Sequence, residues 1–133
     1  LVIATKAGWR TGKQLNRSGL SAGHLHWSID QSLRRLNTDH VDVYIAHRDD
    51  AHTPLEETLE ALDAIVRAGK ARYLGASNWP AWKISAALEL QRANGWARFT
   101  HIQMMYSLLG RQVEHQLLPD VVARFAADLV AAP

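Results

Sequence analysis

The sequence predicts an α/β fold that forms part of a (β/α)8 TIM barrel. Four short apolar runs alternate with helix-like segments at a spacing of about thirty residues, as in barrels of parallel strands. Each run ends in polar residues suited to chemistry: Lys6, His47, Ser77 with Asn78, and Gln103. This edge of the strands is where barrel enzymes keep their active sites.

The length predicts an incomplete barrel. A whole barrel needs roughly 250 residues, whereas the chain has 133. We therefore expect one partial barrel domain over residues 1–133, an excerpt that lacks the N- and C-terminal parts of the barrel.

Composition and charge are those of an ordinary globular protein. The chain is 47% hydrophobic and 21% charged, and nothing in this composition suggests disorder. Its 15 Lys and Arg are scattered and nearly balanced by 13 acidic residues, so nucleic acid is not expected as a partner. The absence of cysteine excludes disulfides and a catalytic thiol, and it fits a cytoplasmic location. No apolar stretch approaches the ~20 residues of a membrane span, so we expect no membrane partner.

The first strand is predicted over residues 1–5, followed by a long polar loop from Ala7 to Gly19. Long loops at this edge of a barrel usually carry function. Ser21 is predicted to cap the next helix. The apolar residues of that helix recur at intervals of four, four and three and form one stripe for packing on the sheet: Leu25, Ile29, Leu33 and Leu36.

The second strand is predicted from Val41 to Ala46 and is apolar on both faces, which is typical of a strand covered on both sides. Thr53-Pro54-Leu55-Glu56 has the form of a capping box, with proline at the first position of the next helix. Gly69 is predicted to end this helix. Its apolar positions are Leu55, Leu59, Leu62, Ile65 and Val66.

The third strand is predicted from Tyr73 to Ala76, and Pro80 begins a helix that Gly95 ends. Ile84 and Leu88 are its expected inward residues. The fourth strand is predicted from Phe99 to Ile102.

A last helix is predicted over about residues 112–130, with four apolar residues spaced by four: Val113, Leu117, Val121 and Phe125. The repeated order of strand and helix implies right-handed parallel crossovers. An open doubly wound sheet has the same order, although the sequence contains neither a G-x-G-x-x-G turn nor a P-loop.

Five segments, in their order and spacing, resemble the aldo-keto reductases. They are Ala4-Thr5-Lys6, Asp42-Val43-Tyr44 running to His47-Arg48, the block from Thr53 to Gly75, Ser77-Asn78-Trp79, and Gln103-x-x-Tyr106-Ser107-Leu108-Leu109-x-Arg111. The likeness is closest to the branch that includes the potassium-channel β subunits and many bacterial reductases. It implies a barrel that reduces aldehydes and ketones with NADPH, of which this chain supplies about strands three to six.

The resemblance also implies roles for single residues. Lys6 and His47 match two of the family's four catalytic residues. A lysine cation favours loss of the proton from a neighbouring tyrosine, and a histidine N–H orients the substrate carbonyl and stabilises the oxyanion. In the family, the tyrosine and an aspartate paired with the lysine come from a segment before the lysine strand, so both are expected outside this sequence.

Four residues match the nicotinamide end of the cofactor site: Ser77, Asn78, Gln103 and Tyr106. The first three match positions that hydrogen-bond the carboxamide, and Tyr106 matches the aromatic residue that stacks on the ring. The family's phosphate sites come later in the chain. We therefore expect the isolated 133 residues to bind NADPH weakly or not at all.

Simpler interpretations exist for these residues. Lys6 taken alone is a solvated charge, His47 a structural hydrogen-bonding residue, and Tyr106 a packing aromatic. Ser77-Asn78 taken alone is an N-cap for the following helix.

Two further groups carry weaker hypotheses. Trp9, in the first loop, is a candidate wall of the substrate pocket. One short loop contains four candidate metal ligands but has no second group elsewhere to complete a site, so no metal is expected: His47, Asp49, Asp50 and His52.

The leading functional hypothesis is a fragment of an NADP-dependent oxidoreductase that acts on a small-molecule carbonyl substrate. One alternative is a non-catalytic module of the same fold that senses the cofactor or binds a partner, and another is an inactive degenerate fragment. Half a barrel leaves two strand edges open, which predicts self-association.

Overall fold

The computed structural model describes residues 1–107, 109–115, 118–119 and 123. Within these ranges, four parallel strands form one sheet, and a helix follows each of the first three strands. The strands are β1 (Ala4–Ala7), β2 (Val41–Ala46), β3 (Ala71–Ser77) and β4 (Phe99–Gln103). The helices are α1 (Ala22–Leu36), α2 (Leu55–Arg67) and α3 (Ala81–Asn94), and a 3-10 turn covers Gln112–Glu114.

The strands lie side by side in chain order, β1-β2-β3-β4. In a doubly wound sheet the strand order reverses at a switch point, whereas in a barrel each strand pairs with the next one. The observed order is therefore that of a partial (β/α)8 barrel and confirms the predicted fold class.

The strand bounds differ from prediction mainly in β1, which spans Ala4–Ala7 rather than residues 1–5. Lys6 therefore lies inside the strand and not after it. Just before β1 begins, the backbone N–H of Ile3 donates to the Asp42 carboxylate at 2.8 Å. β2 has the predicted bounds, while β3 and β4 run on to include Ser77 and Gln103, which pair with each other.

The predicted cap of α1 was wrong in its chemistry. Ser21 occupies the N-cap position, but its side chain makes no capping hydrogen bond. Instead, the Glu57 carboxylate in α2 accepts the N–H of Ala22 at 3.0 Å. The predicted stripe is buried except for Leu36, which ends the helix and is 46% exposed.

The predicted capping box of α2 was also wrong. The hydroxyl of Thr53 donates to the Asp50 carboxylate at 2.7 Å, and Pro54 precedes the first helical residue. Gly69 ends this helix as predicted, and the next amide, that of Lys70, donates to the Ile65 carbonyl at 3.2 Å.

The helix α3 follows Pro80 and ends at Gly95, as predicted, with Ile84 and Leu88 buried. Of the predicted helix over residues 112–130, the described residues show the 3-10 turn at Gln112–Glu114, with Val113 half-buried. The other three members of the predicted apolar stripe lie outside the described residues: Leu117, Val121 and Phe125.

The hydrophobic core lies between one face of the sheet and the three helices. Alternate strand residues such as Tyr44, Ala46 and Leu74 point into it and meet Leu25 and Leu59 of the helices. The largest fully buried side chain is Trp79, which packs edge-on against Phe99 with ring centroids 5.5 Å apart. Within the described ranges, no helix is long and apolar enough to cross a membrane.

Candidate functional site

Four of the sequence-predicted residues lie on one face of the sheet, towards its carboxyl edge: Lys6, His47, Ser77 and Gln103. Lys6 pairs with Ile45, which lies two residues before His47. Ile45 pairs with Gly75, two residues before Ser77, and Ser77 pairs with Gln103. Because side chains alternate along a strand, all four share the face opposite the helices, which we call the site face. In a closed barrel this face lines the interior.

His47 is held where β1 and β2 end together. Its backbone N–H donates to the Ala7 carbonyl at 2.7 Å. The indole of Trp9 stands edge-on to the imidazole, with ring centroids 6.1 Å apart. Burial, and then the positive charge of Lys6, lower the pKa of His47 below its ordinary value. The ring is therefore neutral near neutral pH, and a neutral imidazole still carries one N–H donor.

Lys6 is half-buried on the site face, and its charge acts on His47. Among the described residues, no carboxylate forms a salt bridge with its ammonium. Lys6 is thus a cation whose electrostatic effect falls on the imidazole rather than on a paired acid.

Asn78 connects the end of β3 to the loop that follows β4. Its backbone has φ of 54°, a left-handed conformation that asparagine tolerates better than most residues. Its amide nitrogen donates to the Ser77 hydroxyl at 3.1 Å, and its amide oxygen accepts the N–H of Met105 at 3.1 Å. The backbone N–H of Asn78 donates to the Gln103 carbonyl at 3.0 Å. The other N–H of the Asn78 amide has no acceptor among the residues that the structure describes.

The simpler interpretation of Ser77-Asn78 as an N-cap was wrong, because Pro80 holds that position and makes no side-chain capping hydrogen bond. The Ser77 side chain is buried at the strand end. The Gln103 side chain is exposed and has no hydrogen-bond partner among the described residues. Its amide offers donors and an acceptor to a ligand on the site face.

Tyr106 is held by an acidic partner that sequence reasoning missed. Its hydroxyl donates to Glu114 at 2.6 Å, and Arg111 donates to the same carboxylate from Nε and Nη2, both at 3.1 Å. The hydrogen bond to Glu114 and the charge of that residue raise the pKa of Tyr106. Tyr106 is 59% exposed, so it is not a packing aromatic.

Two more residues near the site were missed. Lys83, in the first turn of α3, is nearly buried and forms an ion pair with Asp49. Arg48 lies with its guanidinium carbon 4.8 Å from the ring centroid of Trp9. For Lys83 the sequence did contain a signal. A lysine in the first turn of a helix is unfavourable unless it has an acidic partner, so such a partner was to be expected.

The four candidate metal ligands of the loop after β2 do not form a site. Asp49 pairs with Lys83, and the Asp50 carboxylate accepts hydrogen bonds from Leu20, His52 and Thr53. In the part of the chain that the structure describes, no group of three or more His, Cys, Asp or Glu residues is arranged to hold a metal ion.

Comparison with known proteins identifies the group to which this arrangement belongs. Residues 1–131 match the sequence model of the Aldo/keto reductase family. The chain is 41% identical over 108 residues to versiconal hemiacetal acetate reductase of Aspergillus parasiticus, covering 81% of this chain and 31% of that protein. It is 38% identical over 117 residues to aflatoxin B1 aldehyde reductase member 2 of Mus musculus, covering 88% and 30%.

A bacterial relative matches over almost the whole chain. Identity to L-glyceraldehyde 3-phosphate reductase of Escherichia coli (strain K12) is 37% over 131 residues, which is 98% of this chain and 38% of that protein. The chain thus spans 30% to 38% of the length of these three relatives.

Proposed function

Because this chain belongs to the aldo/keto reductase family, we propose that the natural protein containing it reduces aldehydes or ketones with hydride from NADPH. The observation that carries the proposal is the shared site face of four residues: Lys6, His47, Ser77 and Gln103. The relatives described above are named as reductases, and we extend that chemistry to this chain.

His47 is proposed to hold the substrate carbonyl. Its neutral imidazole donates an N–H to the carbonyl oxygen, and this hydrogen bond strengthens as the oxygen becomes an oxyanion. Removing one such donor commonly costs about 3 kcal/mol of transition-state stabilisation. Trp9, edge-on to the ring, limits the positions that the imidazole can take.

Lys6 is proposed to act as a fixed positive charge. After burial, its charge is the second cause that lowers the pKa of His47, and it favours proton release from an acid placed beside it. The chain's own tyrosines are poorly situated for that acid. Tyr44 donates to the Leu25 carbonyl beneath the helices, Tyr73 lies four residues before the end of β3, and Tyr106 is bound to Glu114. We propose that the proton donor is a tyrosine outside these 133 residues.

The nicotinamide end of the cofactor is assigned to Ser77, Asn78, Gln103 and Tyr106. The chemistry of these groups fits a carboxamide, since Gln103 offers both a donor and an acceptor and Asn78 offers one N–H. The exposed ring of Tyr106 is available for stacking. When bound, NADPH supplies the hydride, and these side chains orient its nicotinamide.

The test is turnover of 4-nitrobenzaldehyde with NADPH by the natural protein that contains this sequence. We expect Lys6→Met to abolish turnover, because the charge that prepares the proton donor is lost. Lys13→Met, in the exposed loop after β1, should keep the wild-type rate. No turnover by the wild-type protein, or full activity of Lys6→Met, would contradict the proposal.

The isolated 133 residues are proposed to bind NADPH weakly and to self-associate. Among the described strands, β1 pairs only with β2 and β4 only with β3, so each leaves one edge open. Size-exclusion chromatography should show species larger than a monomer. A cooperatively melting monomer, or micromolar binding of NADPH in a fluorescence titration, would contradict these two expectations.

The setting of the reaction is also proposed. The substrate is a small carbonyl compound, with neither nucleic acid nor membrane as a partner. A cytoplasmic location is supported by the absence of cysteine, and cell fractionation would test it.

A further inference from the structure

A cavity of about 450 Å³ opens beside His47, between the loops that follow β1 and β2. We call it the arginine pocket and define it by Gly8, Trp9, Arg10, Arg48, Asp50 and His52. The first three residues belong to the loop after β1, and the other three belong to the loop after β2. Trp9 also contacts the imidazole of His47, so the pocket borders the candidate catalytic position.

The one carboxylate of the pocket already has partners. Asp50 accepts the N–H of Leu20 at 2.8 Å, the N–H of His52 at 2.9 Å and the hydroxyl of Thr53 at 2.7 Å. These bonds tie the two loops together. Asp50 therefore has a structural role in the pocket, and it forms no salt bridge with Arg10 or Arg48.

The two arginines keep most of their donors for a ligand. The Arg48 side chain makes one long contact, from Nε to the Asp49 carbonyl at 3.4 Å, and Arg10 makes one to the Gln14 carbonyl at 3.4 Å. Within the described ranges, neither guanidinium is paired with an acid. A guanidinium offers five N–H groups in a planar fork that matches a carboxylate or phosphate.

Trp9 gives the pocket its geometry. Arg48 lies over the indole with its guanidinium carbon 4.8 Å from the ring centroid, while His47 meets the same indole at 6.1 Å. The indole thus contacts both the imidazole assigned to the substrate carbonyl and the guanidinium of Arg48. A molecule that packs against the indole would therefore lie near both groups.

We propose that the arginine pocket binds an anionic group of the substrate, so that the enzyme prefers aldehydes bearing a carboxylate or phosphate at the end opposite the carbonyl. This inference rests on the proposed reductase function and names the substrate class of that same site. Arg48 is the principal contact because Trp9 orients it, and Arg10 supplies the second positive charge.

The test compares two aldehydes of the same shape in the natural protein that contains this sequence. In 4-carboxybenzaldehyde the para group is an anion, whereas in 4-nitrobenzaldehyde it is neutral and planar. The quantity measured is the ratio of kcat/KM for the anionic aldehyde to that for the neutral one. A hydrogen bond to a charged group predicts that Arg48→Gln lowers this ratio about tenfold or more, through KM of the anionic aldehyde.

Two further variants separate charge from geometry. Arg48→Lys keeps the charge but loses the fork, so the ratio should fall by only about threefold. Arg34→Gln changes an exposed arginine in the last turn of α1 and should leave the ratio unchanged. Values of kcat/KM for 4-carboxybenzaldehyde and for 4-formylphenyl phosphate distinguish a carboxylate from a phosphate. The preferred anion is the one whose kcat/KM falls more in Arg48→Gln.

The possible results distinguish failure of the arginine pocket from failure of the reductase function. An unchanged ratio in Arg48→Gln overturns the arginine pocket and leaves the reductase function standing. If the wild-type protein turns over neither aldehyde, the reductase function fails, and the pocket is tested by binding. Benzoate should then shift the NMR signal of the Trp9 indole N–H in the wild-type protein and shift it much less in Arg48→Gln. No shift, or equal shifts, overturns the pocket.

Discussion

The ammonium of Lys83 and the carboxylate of Asp49 form an ion pair that joins the start of α3 to the loop following His47. Their side chains are only 11% and 30% exposed, and Lys83 also donates to the Asp50 carbonyl at 3.1 Å. The ammonium lies 5.6 Å from the ring centroid of Trp79. Lys83 therefore holds together the two strand-end loops that carry His47 and Asn78.

Removing the Lys83 charge should destabilise the fold. In Lys83→Met, the Asp49 carboxylate and the Asp50 carbonyl lose their donor, so we expect the free energy of unfolding to fall by about 1–3 kcal/mol. Urea unfolding of the natural protein measures this. The double variant with Asp49→Asn should regain part of the loss, because it removes the unpaired charge.

An exposed arginine of the same helix provides the control. Arg92 on α3 is paired with Glu89, with side-chain exposures of 73% and 56%. Arg92→Met should change the stability by less than about 1 kcal/mol. Equal effects of the two single variants would mean that the Lys83–Asp49 pair has no special role.

The protonation of His47 should depend on Lys6. Burial and the Lys6 charge lower the pKa of the imidazole, so it gains its proton only below the ordinary value of about 6.5. The unfolded chain takes up this proton at a higher pH than the folded chain. The stability contributed by the neutral ring is therefore present above the ordinary pKa and is lost as the pH falls towards the folded value.

An NMR titration of the His47 ring tests this dependence. In Lys6→Met we expect the pKa of His47 to rise towards its ordinary value, because the repelling charge is gone. Lys13→Met serves as the control, since its side chain lies in the exposed loop. A pKa of His47 that is the same in Lys6→Met and wild type would show that the Lys6 charge does not reach the imidazole.

Glu114 should set both the acidity and the position of Tyr106. In Glu114→Gln the negative charge is lost, so the pKa of Tyr106 should fall towards its ordinary value. An ultraviolet titration detects this, with the signal assigned by its loss in Tyr106→Phe. If Tyr106 stacks on the nicotinamide, KM for NADPH should rise several-fold in Glu114→Gln while kcat changes less. Unchanged acidity would contradict the hydrogen bond to Glu114.

Local sequence patterns predicted the elements well but predicted their caps poorly. Both ends of β2 (Val41–Ala46) were predicted correctly, because a mostly apolar run between polar residues can be recognised from adjacent residues alone. Ser21 and Thr53 are typical capping residues, yet one cap comes from Glu57 on another helix and Thr53 binds Asp50 instead. These choices depend on which loops meet in space, and a local pattern does not contain that information.

The positions of the candidate site residues in the fold were predicted to a similar degree. Strand ends marked Lys6, His47, Ser77 and Gln103, and parallel pairing put them on one face. The contacts of Lys83 with Asp49 and of Arg48 with Trp9 join residues 34 and 39 positions apart. No helical or strand periodicity in the sequence links residues so far apart, so these contacts could be found only in the packing of the loops.

Gly19 and Gly23 should respond in opposite ways to replacement by alanine. Gly19 has φ of 80°, and a Cβ there would lie 2.5 Å from an oxygen of the Asp50 carboxylate. Gly19→Ala should therefore displace Asp50 from the amides it binds and lower the free energy of unfolding by about 1–3 kcal/mol. A Cβ at Gly23, in the first turn of α1, would meet only open space, so Gly23→Ala should leave stability unchanged or raise it by up to about 1 kcal/mol. Thermal unfolding of both variants decides the matter: a Gly19→Ala protein as stable as Gly23→Ala would show that Asp50 does not hold the two loops together.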